Sequence, residues 1–511
     1  MSNEKKTILP SSWSTLLYAD AVDGISTNKK KINQKKYLES GIYPIFDQGN
    51  NYIGGYTNDS EKIIICEFPV VIFGDHTRAV KMVKEPFAAG ADGVKVLQPK
   101  GFILPKLLQY FTNYLAISIK DKGYARHYQW VAKEKIGIPP ENEQHRIVAK
   151  IEELFSELDK GIESLKRARE QLKVYRQVLL KHAFEGKLTK QWRKENAGKL
   201  ETADQLLERI KKEREARSQQ QLKAWQAAVM QWEAAGKKGK KPGKPKKFQD
   251  TAFDQDAVNE LPTLPRNGTY SPLGDLIDDP KYGTSKKCTY ETNRAGVLRI
   301  PNVVSGRVDS TDLKFAEFDD SELYDYALLD GDILLIRSNG SISIVGKAAL
   351  IEPKDTDYIF AGYLIRLRPN ASLIIPKYLI FVLEAHMMRK QIEAKAKSTS
   401  GVNNINSGEI KSLIVPVTGI EEQSEIVKLL EEKLSVVDSN MSDIEDNLIK
   451  SEALRQSILK KAFSGQLVPQ DPNDEPASVL LVRIAAEKAE AATKAQKAKA
   501  TRKKRITRRV G

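Results

Sequence analysis

The sequence predicts an α+β protein built on an internal repeat: two strand-rich domains, each followed by a long helix, with the two helices pairing with each other. Three observations carry this. Residues 143–188 align without gaps to residues 422–467, and sixteen of 46 positions are identical, including Glu143/Glu422, Gln144/Gln423, Asp159/Asp438, Arg176/Arg455, Gln177/Gln456, Phe184/Phe463 and Gly186/Gly465. Both copies lack proline and carry an apolar seam in steps of three and four. It runs Val148, Ile151, Phe155, Leu158, Ile162, Leu165 in the first copy and Val427, Leu430, Leu434, Val437, Met441, Ile444, Leu448 in the second. That is heptad spacing, and so narrow a seam on a charged helix needs another helix to cover it. The stretch before each copy is rich in β-branched runs bounded by Gly, Asn and Asp, such as Val70-Val71-Ile72-Phe73 and Ile333-Leu334-Leu335-Ile336.

In chain order, the first domain spans 1–141, the first long helix 142–188, a helical insertion with a basic linker 189–265, the second domain 266–420, the second long helix 421–467 and a basic tail 468–511. Within each domain a shorter apolar helix opens on proline, at Leu104-Pro105-Lys106 and Ile375-Pro376-Lys377. Proline suits the first helical turn, where its missing N–H costs nothing. A short apolar stretch with proline, Ile138-Pro139 or Ile414-Val415-Pro416, then feeds each long helix, and Gly186 and Gly465 supply C-terminal stops. Beyond them an echo persists, Leu206 to Ile210 against Leu480 to Ile484. The repeated helices resemble each other more than the domains do, so a shared frame carries two unlike modules.

The chain has 511 residues, 41% hydrophobic and 29% charged, with no apolar run near the ~18 residues of a membrane span. Two cysteines, far apart, exclude a disulfide framework or a zinc ribbon and fit the cytoplasm. Net charge is +15, and two segments account for it: 236–247, with seven lysines and no acid, and 487–511, with ten Lys/Arg against two Glu. Such segments attract phosphates without reading bases. Any sequence recognition falls to the charge-balanced folded parts.

Catalytic signatures are missing. There is no Gly-rich phosphate loop ending in Gly-Lys-Ser/Thr, no Gly-x-Gly-x-x-Gly and no Asn-Pro-Pro-Tyr-like tetrapeptide, and the five histidines are scattered. Glu-x-Lys tripeptides such as Glu409-Ile410-Lys411 arise by chance in so Lys/Glu-rich a chain. No catalytic, metal or cofactor-binding residues are assigned. A binding subunit is expected, with a protein-binding coiled-coil scaffold and a self-contained nuclease as the rival readings.

Two polar tips interrupt strand-like runs: Gly74-Asp75-His76-Thr77-Arg78, followed by Lys81, and Arg337-Ser338-Asn339-Gly340-Ser341, followed by Lys347. Arg meets a guanine edge bidentately, Asn an adenine edge, and Ser or Thr a base or a phosphate. Arg126 and Tyr128 lie in a second basic-aromatic stretch, and Lys397 and Thr399 in the polar run from Lys395 to Asn406. All sixteen of these residues are candidates for DNA contact.

These features together resemble the specificity subunit of type I restriction–modification enzymes. The resemblance covers essentially the whole chain. It rests most on the proline–Glu-Gln helix entries (139–144 and 416–423), the Ala-Phe-x-Gly-x-Leu ends (183–188 and 462–467), the stretch 467–481, and the segments 71–78 and 331–341. The insertion at about 189–258 is longer than in the tightest versions of that family. The resemblance implies two mixed α/β target recognition domains separated by two long helices that form an antiparallel coiled coil with pseudo-two-fold symmetry. Each domain would read one half of a split target in double-stranded DNA. It further implies two modification subunits that methylate adenine N6 with S-adenosylmethionine, and two restriction subunits that use ATP and Mg. Those cofactors would belong to the partners. A rigid spacer of this kind predicts half-sites about one DNA turn apart, ~34 Å centre to centre.

Overall fold

The computed structural model describes residues 9–119, 123, 125–239, 241–245, 255–278, 280–291, 295–399 and 401–486. The basic tail 487–511 and Lys240, Lys246 and Lys247 of the linker lie outside the described residues. The chain forms two units, one of residues 1–167 with 444–511 and one of residues 168–443. The division falls inside both long helices, Glu141–Phe184 and Ile420–Phe463.

In the first unit a four-stranded antiparallel sheet runs in the order Val22–Ile25, Val94–Pro99, Val70–Gly74, Val80–Val83. A second sheet is centred on Phe87–Gly90, which lies parallel to Lys31–Ile32 and Tyr43–Phe46. The helix Pro105–Ser118 buries Leu107, Leu108, Phe111 and Leu115 in the core that also takes Ile147, Ile151, Ile458, Leu459 and Phe463 of the long helices. In the second unit the central sheet has six strands around Ile333–Ile336. The helix Pro376–Glu384 fills the corresponding core with Leu179, Leu180, Phe184, Ile426, Leu430, Leu434 and Val437. Strands buried on both faces explain why 70–73 and 333–336 read as unbroken apolar runs.

The identical positions of the repeat now acquire causes. Each domain begins and ends side by side, because Ser14–Leu17 pairs antiparallel with Lys135–Ile138, and Thr269–Pro272 with Ile414–Val417. The chain therefore leaves each domain straight into its long helix. There a buried glutamine clamps the entry. Leu104 N–H donates to Gln144 Oε1 at 2.8 Å, while Gln144 Nε2 donates to the carbonyls of Phe102 (2.8 Å) and Pro139 (3.1 Å). In the second unit Ile375 N–H donates to Gln423 Oε1 at 2.9 Å, and Gln423 Nε2 to Leu373 O (3.0 Å) and Thr418 O (2.7 Å). One side chain thus satisfies the start of the domain helix, which has no side-chain cap of its own.

The glutamates beside them are buried too, but with different partners. Glu143 accepts from Trp13 Nε1 (2.9 Å) and Gln470 Nε2 (2.5 Å), and burial outweighs these bonds to hold its carboxyl above the ordinary range. Glu422 is also pushed up by burial. Bonds from Thr189, Arg193, Asn267 and Thr418 overcome that, so its pKa is lowered.

The long helices pair within each unit, antiparallel, as the coiled-coil expectation requires. In the first unit Arg455 bridges to Asp159 and stacks over Phe155. In the second, Arg176 bridges to Asp438 at 2.9 Å and to Glu384 at 2.9 Å. Asp159 and Asp438 are repeat equivalents, as are Arg176 and Arg455. The same Asp–Arg contact therefore forms twice with the roles of the two helices exchanged, as an isologous pairing demands. All thirteen seam residues are buried or half-buried. At the helix ends Gly186 and Gly465 take positive φ, +68° and +73°. A Cβ on either would strike a proline, Pro265 or Pro10. The echo at 206–210 and 480–484 is a helix packed on each core, with Leu206, Ile210 and Leu480 buried.

Candidate nucleic-acid interface

In the first unit, Val70–Gly74 ends at a tight reversal into Val80–Val83. Asp75 is buried there and works as a latch. Its carboxylate accepts from Tyr128 N–H (2.9 Å), and its carbonyl accepts from His127 N–H (2.8 Å). This draws 126–128 against the strand end, so four expected contact residues, Asp75, His76, Arg126 and Tyr128, line one cleft of about 450 Å³. Gly24 to Asn28, Lys31 and Asp92 to Leu97 complete it. Lys95 lies 3.7 Å from the Asp75 carboxylate and over the Tyr128 ring. Lys31 bonds Asp92 at 3.1 Å and holds that carboxyl below its usual pKa. Burial raises the Tyr128 phenol, with Asp75 adding to it. Arg126 is exposed at the rim.

The rest of this tip departs from expectation. Lys81 is only 4% exposed and bonds Asp47 at 3.3 Å, so its ammonium is enclosed and cannot meet a phosphate. Burial lowers its pKa against the pull of Asp47. Arg78, at φ +62°, turns back and donates to the carbonyl of Ile119 at 3.0 Å, tying down the C-terminal end of the helix Pro105–Ser118. Thr77 Oγ1 donates to Gln48 O at 2.5 Å, and Gly74 gives Thr77 and Gln48 room to approach. Lys81 and Arg78 thus spend their charge inside the tip and shape it, while Thr77 stays exposed beside them. Lys31 and Lys95 were missed. The one available signal was Lys95, the polar residue in an alternating strand, between Val94 and Val96.

In the second unit the expected turn is a strand. Ser338–Asn339 pairs with Val402–Asn404, which pairs with Lys397–Thr399. Two stretches singled out separately, 64 residues apart, thus form one three-stranded polar sheet. Asn403 Nδ2 donates to Gly340 O at 3.0 Å, and Ser341 N–H to Asn339 Oδ1 at 2.8 Å. Gly340 and Ser341 are exposed, and the side chains of Lys397 and Thr399 lie outside the described residues. Arg337 is half-buried. It donates to Gly362 O at 3.0 Å and stacks over Tyr282, whose hydroxyl accepts from Ser407 N–H. Among the described residues, Arg337 Nε and Asn404 Oδ1 are buried with no hydrogen-bond partner. Lys347 is exposed in a different cleft of this unit, with Arg307, Ser343 and Arg389. Sequence reasoning missed Tyr282, because nothing local marks it as the platform of Arg337.

Among the described residues no group of His, Cys, Asp and Glu could hold a metal ion, and no helix is long and apolar enough to cross a membrane.

The type I restriction modification DNA specificity domain matches residues 22–167 and again 271–450, once on each copy of the repeat. The chain is 28% identical over 382 residues to the type I restriction enzyme EcoKI specificity subunit of Escherichia coli K12, covering 72% of this chain and 66% of that one. It is 30% identical over 260 residues to the StySPI specificity subunit of Salmonella potsdam, covering 48% and 56%. The matches thus span under two-thirds of these two relatives. The EcoDI specificity subunit of E. coli aligns over 97% of this chain and 99% of its own length at 22% identity. A solved structure described as the basis of complex assembly and conformational transition of the type I R-M system shares the fold. Its TM-score is 0.56 at 16% identity, over 90% of this chain and all of that one. The doubled domain spans more than half of a chain whose two helices exchange identical Asp–Arg bridges, and the chain belongs to the specificity subunits of type I restriction–modification systems.

Proposed function

We propose that the chain reads a split, asymmetric site in double-stranded DNA, one half with residues 1–141 and the other with 266–420, and so directs adenine-N6 methylation and restriction by partner subunits. The observation that carries this is one duplicated helix frame bearing two reading surfaces of different chemistry. The first is a cleft of paired charges with His76, Lys95 and Tyr128, and with exposed Arg126 at its rim. The second is a polar sheet with Ser338, Asn339 and Asn403 beside Arg337. Unlike readers on like mounts favour a target whose halves differ. Arg126 and the asparagines offer the bidentate groups that discriminate guanine and adenine edges, and Lys347 and Lys397 the charge for phosphates.

Two modification and two restriction subunits are the proposed partners, with S-adenosylmethionine, ATP and Mg held on them. Exposed Val174, Tyr175 and Val178 along the first long helix support a protein partner there. Methylation of a paired adenine needs that base flipped from the stack, and this chain would keep the duplex in register meanwhile.

Methylation-sensitive genome sequencing tests the reading. Deleting the chain should abolish one split adenine motif, and exchanging residues 1–141 for another reader should change one half of it. Loss of no motif would return the chain to the scaffold reading, and a change in both halves would overturn the assignment of one domain to one half.

A further inference from the structure

The insertion after the first long helix is built as two parts. The helix Ala203–Ala234 opens on a Thr202/Gln205 capping box. Its first turns are fixed to the second unit by buried Leu206 and Ile210 and by bridges from Arg214 to Asp275 (2.9 Å) and Arg217 to Asp278 (2.8 Å). From residue 218 to 234 it continues for about 25 Å, mostly exposed.

That second part has its own cover. The chain reverses through Gly236, Lys237 and Gly239, all at positive φ, and returns along the helix. Trp232 Nε1 donates to Gly239 O at 3.2 Å and Trp225 Nε1 to Pro242 O at 3.1 Å. Lys241 Nζ sits 5.9 Å over the Trp232 ring and Lys244 Nζ 5.6 Å over the Trp225 ring. The periods match. Seven helical residues advance about 10.5 Å, and three extended residues about 9.3 Å. Indoles seven apart therefore meet carbonyls three apart and ammonium groups three apart. Half-buried Trp225, Ala228, Val229 and Trp232 form the covered stripe.

The outer surface of this hairpin is cationic. Between 218 and 245 the sole acid is Glu233, whereas Lys223, Lys237, Lys238, Lys241 and Lys244 are all exposed. A lysine over an indole keeps its outer N–H groups available while its position is fixed. The large rings are already covered, so the hairpin offers a protein partner no broad aromatic anchor.

We propose that residues 218–245 are an accessory phosphate-binding hairpin that grips duplex DNA without reading its sequence. The proposal rests on the DNA-reading function above and adds a contact to it. In a type I system it would raise affinity for any duplex and leave the choice of site to the recognition surfaces.

The test uses the full-length chain in its complex with modification subunits. Binding to a target duplex and to a scrambled duplex of equal length is measured between about 50 and 200 mM salt. With Lys237, Lys238, Lys241 and Lys244 all changed to glutamine, the slope of log K against log salt should shrink by roughly 2–4, at ~0.9 for each phosphate no longer neutralised. Affinity for both duplexes should fall by the same factor. Trp225→Ala with Trp232→Ala, which keeps every lysine but frees the loop, should give an intermediate fall. A slope unchanged by the lysine variant overturns the proposal. So does dissociation of a protein subunit at constant slope, which would assign the hairpin to an acidic protein surface. Absence of target preference in the unmodified complex would instead defeat the DNA-reading function itself.

Discussion

Replacing Gln423 by leucine removes the clamp on the second domain helix and leaves its volume nearly unchanged. Three groups lose their partner: the half-buried Ile375 N–H and the buried carbonyls of Leu373 and Thr418. Each orphaned buried group costs about 1–3 kcal/mol, and a half-buried one that water can reach costs less. The leucine regains some transfer energy, so a net cost of about 3 kcal/mol is expected. That equals roughly a hundredfold increase in local opening. Hydrogen exchange read by mass spectrometry should show it in peptides covering Pro376–Glu384 and the start of the second long helix. Because Gln144 makes the same three bonds, Gln144→Leu should give a matching loss in Pro105–Ser118. Each variant should relax recognition of its own half-site alone. A change below about threefold, or protection lost equally in both units, would refute the clamp. The chain has two units, so exchange at named peptides is a sounder readout than one global unfolding free energy.

Arg337→Ala should relax preference in the second half-site by roughly 1–3 kcal/mol if its guanidinium meets a base edge, whereas a uniform loss across sequences would mark a phosphate contact. Lys81→Met should destabilise the first unit by about 1–3 kcal/mol, since it takes the ammonium from the half-buried Asp47 carboxylate and leaves it the Gly49 N–H, and should leave the salt dependence of DNA binding unaltered; a smaller salt slope would mark Lys81 as a contact. The two entry glutamates should respond oppositely to acid. Glu422, held low in the fold, contributes stability above its ordinary value of 4.5 that is lost as pH falls through its folded pKa. Glu143, held high, penalises the fold as pH rises from its ordinary value through its raised one, so it favours the acid side. Thermal melts of Glu143→Gln and Glu422→Gln at neutral and acid pH check this. The first should be well tolerated at neutrality. The second should cost about 1–3 kcal/mol there, and equal losses would contradict the pairing.

Much of the frame was legible because its signals are local. Heptad spacing, proline at Pro105 and Pro376, and glycine at Gly186 and Gly465 each act within a turn or two of chain. The identities at Glu143, Gln144, Asp159 and Arg176 marked positions that matter without saying why. Their partners, Leu104, Gln470, Arg455 and Asp438, lie from 40 to 327 residues away. The reading surfaces were only half legible. Polar tips were found, but a tip's composition does not reveal which side chains turn inward. Lys81 and Arg78 look like contacts in sequence, yet one fills an ion pair and the other holds a helix end.

A doubled frame carrying two unlike modules can be read from the residues in order, because periodicity and repetition survive without any knowledge of distant neighbours. Three features exist only in the folded chain: the exchange of Asp159–Arg455 for Arg176–Asp438, the joining of Ser338 to Asn404, and the clasp of Trp225 and Trp232 on the lysine loop. Each depends on strand register, helix phase or burial between separate segments. Those are settled collectively by the packed core, and no single stretch of residues encodes them.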